Sequence, residues 1–106
     1  MFKIAVVMMA PDGDPKSHRA SLQTGRMEYL MRAVEGGNID QAVTVCAELT
    51  REEKVHAIFL CPGFDYAATA RIKAAVGADV SVSVTHSDMD NAKLAVRLLA
   101  EQGIVH

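Results

Sequence analysis

Tryptophan is absent from this chain, phenylalanine and tyrosine together supply only 5% of it, and its eleven Lys and Arg residues form no basic run. With a formal net charge of −2, the chain lacks the electrostatic footprint by which proteins hold polyanions, so no nucleic acid is expected as a partner. Two cysteines, Cys46 and Cys61, are too few for a disulfide scaffold. Together with six methionines and no Asn-x-Ser/Thr triplet, they fit a reducing, cytoplasmic setting. Long apolar runs are missing too. The stretch from Ile4 to Ala10 is short, follows the single charge of Lys3 and leads into Asp12-Gly13-Asp14 without a small-x-small cleavage pattern. It therefore reads as a buried strand rather than a signal peptide, and no run approaches the roughly 20 residues that span a bilayer, so no membrane contact is expected.

What remains is an ordinary globular composition, half apolar over 106 residues. A chain of this length folds as one domain, Met1 to His106, and buries roughly two thirds of its unfolded surface without metals or disulfides. Lys3 to Met9 is continuously apolar and rich in valine and methionine, which predicts a central strand covered on both faces. Pro11 to Ser17 collects two prolines, a glycine and two aspartates, and is read as a loop. From Ala20 to Val34 the periodicity supports two readings. Met27, Leu30, Met31 and Val34 match helical spacing, whereas the alternation of Glu28 and Arg32 suits a half-buried strand, and Gly25 weakens a helix through both halves.

Asn38 predicts a helix start, with Gln41 three residues on to close a capping box. Ile39, Ala42, Val43, Cys46 and Leu49 share its apolar face, which makes Cys46 a small core residue. Val55 to Cys61 is a second apolar strand. A helix over Asp65 to Val76 follows, packing through Ala68, Ile72 and Ala75 and ending at Gly77. Val80 to Val84 alternates valine with serine, as a strand near an edge does. Ser87 is expected to cap a last helix with Asp88 and Asp90 in its first turn, a core stripe of Ala92, Ala95, Val96 and Leu99, and its end at Gly103. Strands alternating with helices of this length predict an α/β fold: a single-domain, three-layer sandwich with a mainly parallel sheet of about five strands and three helices.

The segment Ala10-Pro11-Asp12-Gly13-Asp14-Pro15-Lys16-Ser17-His18-Arg19 after the first strand, with Phe59-Leu60-Cys61-Pro62-Gly63-Phe64 after the middle helix, resembles a family of small uncharacterised bacterial α/β proteins, a domain of unknown function. The resemblance runs over roughly Met1 to Thr85. It implies a strand near Met27 to Val34, hence a strand pair turning near Thr24-Gly25, and brings no activity with it. The chain departs from the family pattern at Pro62, where a glycine is common, and in its tail from Ser87 onward.

Ligands of open parallel sheets sit outside the carboxyl ends of the strands, where this chain places several reactive side chains. Asp12 and Asp14 follow the first strand with His18 on the same loop, Cys61 follows the middle strand ahead of Gly63, and His86 follows the last. Asp12, His18 and Gly63 are accordingly candidate binding residues for a small polar or carboxylated molecule. Cys61 and His86 are candidate catalytic residues, because a thiolate beside an imidazole and a helix N-terminus is activated for proton or acyl transfer. A cysteine after an apolar strand also resembles the layout of aspartate/glutamate racemases, of which only one half would be present. His56 belongs to the opposite rim and is read as structural. No ligand pair has a metal spacing, and no G-x-G-x-x-G or Walker pattern is present, so no metal is expected and no cofactor is implied. A structural or interaction domain with no working pocket is the non-enzymatic alternative. The valine-serine edge strand lacks guarding charges, from which a homo-oligomer, most simply a symmetric dimer, is expected.

Overall fold

The computed structural model describes residues 1–104. In chain order the elements are β1 (Phe2–Ala10), β2 (Arg19–Gln23), β3 (Met27–Glu35), α1 (Ile39–Glu52), β4 (Ala57–Leu60), α2 (Tyr66–Val76), β5 (Ser81–Val84) and α3 (Met89–Glu101). The five strands form one sheet in the order β2-β3-β1-β4-β5. β1 runs parallel to both β3 and β4, β4 runs parallel to β5, and β2 alone is antiparallel. This is the expected α/β sandwich with a mainly parallel sheet. β1 and β4 are interior neighbours, pairing Ala5 with Ile58 and Val7 with Leu60.

The segment with two readings is a strand pair. Thr24 makes its turn: its amide donates to the Met27 carbonyl at 2.8 Å, and its hydroxyl accepts from the amides of Arg26 and Met27 at 3.2 and 3.0 Å. β2 therefore carries the chain from the end of β1 back to the start of β3 within the plane of the sheet. In a doubly wound fold a helix makes that crossover, and right-handedness puts it on the face opposite the helices that run the other way along the sheet. Here β2 stands in place of that helix.

The core accordingly lies on one side. Ala5 and Val7 of β1, Leu30 and Val34 of β3, and Ile58 and Leu60 of β4 face Ala42, Val45, Cys46 and Leu49 of α1, and Ala68 and Ile72 of α2. On the other side the expected cover of β1 is incomplete: Val6 is half-buried and Met8 is exposed. Along α2 the packing face runs Ala68, Ile72 and Val76 at i, i+4, i+8, leaving Ala75 exposed instead of buried. α3 buries none of its residues, so its predicted core stripe lies at the surface.

Helix ends follow the sequence with two changes. The Asn38 side chain accepts from the Gln41 amide at 3.0 Å, but Gln41 Oε1 reaches past Asn38 to the Glu35 amide at 2.8 Å, so the predicted box closes one loop earlier. Asp65 caps α2 by accepting from the Ala68 amide at 2.8 Å, and Gly77 ends that helix at φ +91°, a backbone region costly to other residues. α3 is capped by Asp88 rather than Ser87. Its two carboxylate oxygens accept from the Asn91 amide at 2.9 Å and from Asn91 Nδ2 at 2.7 Å, a reach that the shorter serine one residue earlier lacks. Those bonds hold the Asp88 carboxyl below its ordinary value of 3.8.

Candidate functional site

The carboxyl rim of the sheet holds the expected residues but spreads them out. The loop between β1 and β2 folds over the end of β3, with the Gly13 amide donating to the Ala10 carbonyl at 3.0 Å. A Cβ on Gly13 would overlap the Val34 carbonyl oxygen, so only glycine allows this approach. Asp12 and His18 are both exposed on that loop. His18 closes it, since its Nδ1 accepts from the Asp14 amide at 3.0 Å and its carbonyl accepts from the Ala33 amide at 3.0 Å.

Cys61 sits half-buried three strands away along the sheet order, where its Sγ accepts from the Met9 amide at 3.4 Å. Gly63 lies against it; a Cβ there would come 3.0 Å from Met9 Sδ and 3.6 Å from Cys61 Sγ. His86, exposed after β5, meets the edge of the Tyr66 ring, with Nε2 and the phenol oxygen 3.5 Å apart. Four strand spacings, roughly 19 Å, separate the His18 flank from the His86 flank. Cys61 and Gly63 are thus brought together, while His18 and Asp12 stand at one end of the rim and His86 at the other. The other cysteine, Cys46, is fully buried, and burial pushes its thiol up to about 12. His56 braces the opposite rim: its Nδ1 accepts from the Lys3 amide at 2.9 Å, and its ring stacks on Phe2.

Loop closure at Asp14 carries a pH signature. Its carboxylate accepts first from the Lys16 amide, at 3.0 Å, and then from the Ser17 hydroxyl, at 3.1 Å, which lowers its pKa from 3.8. A carboxyl lowered by folding contributes stability that is present above its unfolded value and lost as pH falls through the folded one. The two carboxylate contacts are therefore expected to hold at neutral pH and to weaken below 3.8. Protection of the Lys16 amide against exchange should fall there in the wild type, and an Asp14→Asn variant should show no such step.

A cleft of about 410 Å³ lies elsewhere, between α1 and the β2–β3 flank. None of Asp12, His18, Cys61, Gly63 and His86 lines it. One wall carries Lys16, Arg19 and Arg32, and the facing α1 wall carries Glu48, Glu52 and Glu53. Arg19 and Arg32 are directly opposite in the antiparallel β2–β3 register, so two like charges share one face of the sheet. Arg32 is only 6% exposed, the one charged residue among the described residues to be buried. Its guanidinium makes a single hydrogen bond among the described residues, Nη1 to the Met31 carbonyl at 3.0 Å, and pairs with no carboxylate. Burial, and then Arg19, weaken its hold on the proton, while Glu53 strengthens it. Arg19, which also lines the cleft, donates Nε to the Pro15 carbonyl at 3.1 Å, and its terminal nitrogens make no hydrogen bond among the described residues.

Nothing local in the sequence announces this arrangement. Arg32 reads as the polar member of an alternating strand, and its partner Arg19 is found only through the register of a hairpin. The acidic residues at 48, 52 and 53 do carry a weak signal, a helix flank at i, i+4 and i+5 that is acidic beside a core stripe.

Residues 2–104 match the Family of unknown function (DUF6506), and the chain belongs to that family. The match extends past Thr85 to include α3. No curated protein matches the chain in sequence.

Proposed function

We propose that this domain binds a small polar molecule through a carboxylate or phosphate group, seated in the cleft between α1 and the β2–β3 hairpin rather than at the Cys61–His86 rim. The observation that carries the reading is Arg32. Arg32 is a buried residue that still lines the cleft, and among the described residues none of its nitrogens is both buried and unpartnered, so its free donors open into the cleft beside a like charge, an arrangement that a bound anion relieves. Two arginines side by side offer forked donors suited to a carboxylate or phosphate, and Lys16 at the mouth adds a third positive charge. The facing glutamates would accept hydrogen bonds from hydroxyl or ammonium groups at the far end of the ligand. A cleft of about 410 Å³ falls in the size range of small-molecule sites.

The test is calorimetric titration of the full chain with succinate, inorganic phosphate and glutamate at constant ionic strength. Saturable one-to-one binding of at least one of the three, reduced by Arg19→Ala, is expected. If none binds above the effect of ionic strength, or if binding survives unchanged in Arg19→Ala, the reading fails.

A further inference from the structure

We infer that the face of the sheet left bare by α1 and α2 is the docking surface for α3 of a second copy of this chain, in a symmetric dimer that exchanges the helix reciprocally. On that face the register aligns Phe2, Met8, Leu22, Met31 and Phe59, which are 46, 42, 65, 45 and 39% exposed. Ile4, Val6, Tyr29 and Ala33 fill the space between them. The only charged side chain on this face of the five strands is Glu35, at the rim.

α3 is the counterpart. At about 100° per residue, its polar side chains Asp90, Lys93, Arg97 and Glu101 occupy one narrow stripe, and, Asn91 apart, the remaining two thirds or so of its circumference is apolar. A helix lying on a single surface needs an apolar stripe of roughly 100°. α3 is wide enough for two, yet it buries no residue. Only Ala92 and Ala95 are half-buried, so such contact as it makes with its own chain uses small residues in the middle of the arc. Leu94 and Leu98 on one flank and Met89 and Val96 on the other are all exposed.

Stoichiometry selects a second copy. The apolar side of a 13-residue helix, about 20 Å long, presents roughly 200 Å² and covers a matching area of sheet. Reciprocal exchange therefore buries roughly 400 Å² on each partner, about 800 Å² in the pair, the scale of a weak, reversible dimer. Every chain carries one bare sheet and one bare helix, so a two-fold pair satisfies all four surfaces in one closed contact. The uncharged sheet face opposes such self-pairing with no repulsion. This contact is distinct from edge-to-edge pairing of β5, which would leave both apolar surfaces in water.

Light scattering of the full chain across the micromolar range, with sedimentation equilibrium for the dissociation constant, tests the inference. A dimer is expected, and Met31→Glu on the sheet and Leu98→Glu on α3 should each weaken it by at least about 30-fold, as loss of a hot-spot contact does. Both positions are exposed in the single chain, so unchanged far-ultraviolet dichroism is expected in each variant. Mixing Met31→Cys chains with Leu98→Cys chains under oxidation should give a disulfide-linked pair, read against mixtures lacking either new cysteine. A monomer throughout, a dimer indifferent to Leu98→Glu, or a disulfide that forms only within a chain carrying both substitutions would overturn it.

Discussion

Arg32→Met is expected to abolish anion binding while leaving the domain at least as stable as the wild type. Arg32 sits between Leu30 and Val34 on the inward face of β3, paired in register with Val7. Its stem lies among apolar neighbours while its head opens into the charged cleft, its one hydrogen bond among the described residues goes to the carbonyl of the adjacent Met31, and Arg19 opposes it across the hairpin. Methionine matches the apolar stem of the arginine, fills irregular space and removes the charge and with it the repulsion. In a chain of 106 residues, each kcal/mol shifts the melting temperature by about 4–8 °C, so calorimetry without ligand reads the change directly. The same variant should give no heat with whichever of succinate, phosphate or glutamate binds the wild type. A lower melting temperature would mean that the guanidinium has structural partners that matter more than its burial, and unimpaired binding would remove Arg32 from the site.

The second large effect separates two adjacent residues of β4. Ile58 is fully buried against the α1–α2 core, whereas Phe59 is 39% exposed on the opposite face. Ile58→Ala should destabilise the domain by about 2–5 kcal/mol, the transfer cost of the lost methyl groups plus that of the cavity they leave. Phe59→Ala removes a larger side chain, yet at concentrations low enough to keep chains apart it should cost well under half as much. Denaturant melts of both variants at low concentration check the contrast. Equal losses would show that the second face is covered within the single chain.

That contrast marks how far the sequence could be read. The uninterrupted apolar runs of β1 and β4 identify interior parallel neighbours because only interior strands tolerate them. They do not distinguish a strand covered by its own helices from one covered on one side only, because the pattern registers exclusion from water and not what excludes it. The stripe Ala92, Ala95, Val96 and Leu99 reads as core for the same reason. Asn38, Asp65 and Gly77 were legible as helix ends because capping is a local contact over three or four residues. Arg32 was not, since its burial depends on a face chosen by strands β1 and β2. Cys61 and His86 were placed correctly after their strands, but the side chains each meets, Met9 and Tyr66, are set by tertiary packing.

The in-plane return of the chain through β2 also orders assembly during synthesis. β1, β2 and β3 are complete by Glu35 and can zip into a three-stranded ribbon while the rest of the chain is still being made. Their contacts span short sequence separations and so form early. β4 must then insert beside β1 from more than fifty positions away, as in the pairing of Ile4 with Ala57, and it brings α1 across the ribbon in the same step. Until that insertion the free edge of β1 and both apolar faces of the ribbon are open to other chains. The vulnerable interval of this protein's biogenesis is therefore the emergence of Gly36 to Leu60 from the ribosome, and slowing elongation within that interval should increase aggregation more than slowing it before or after.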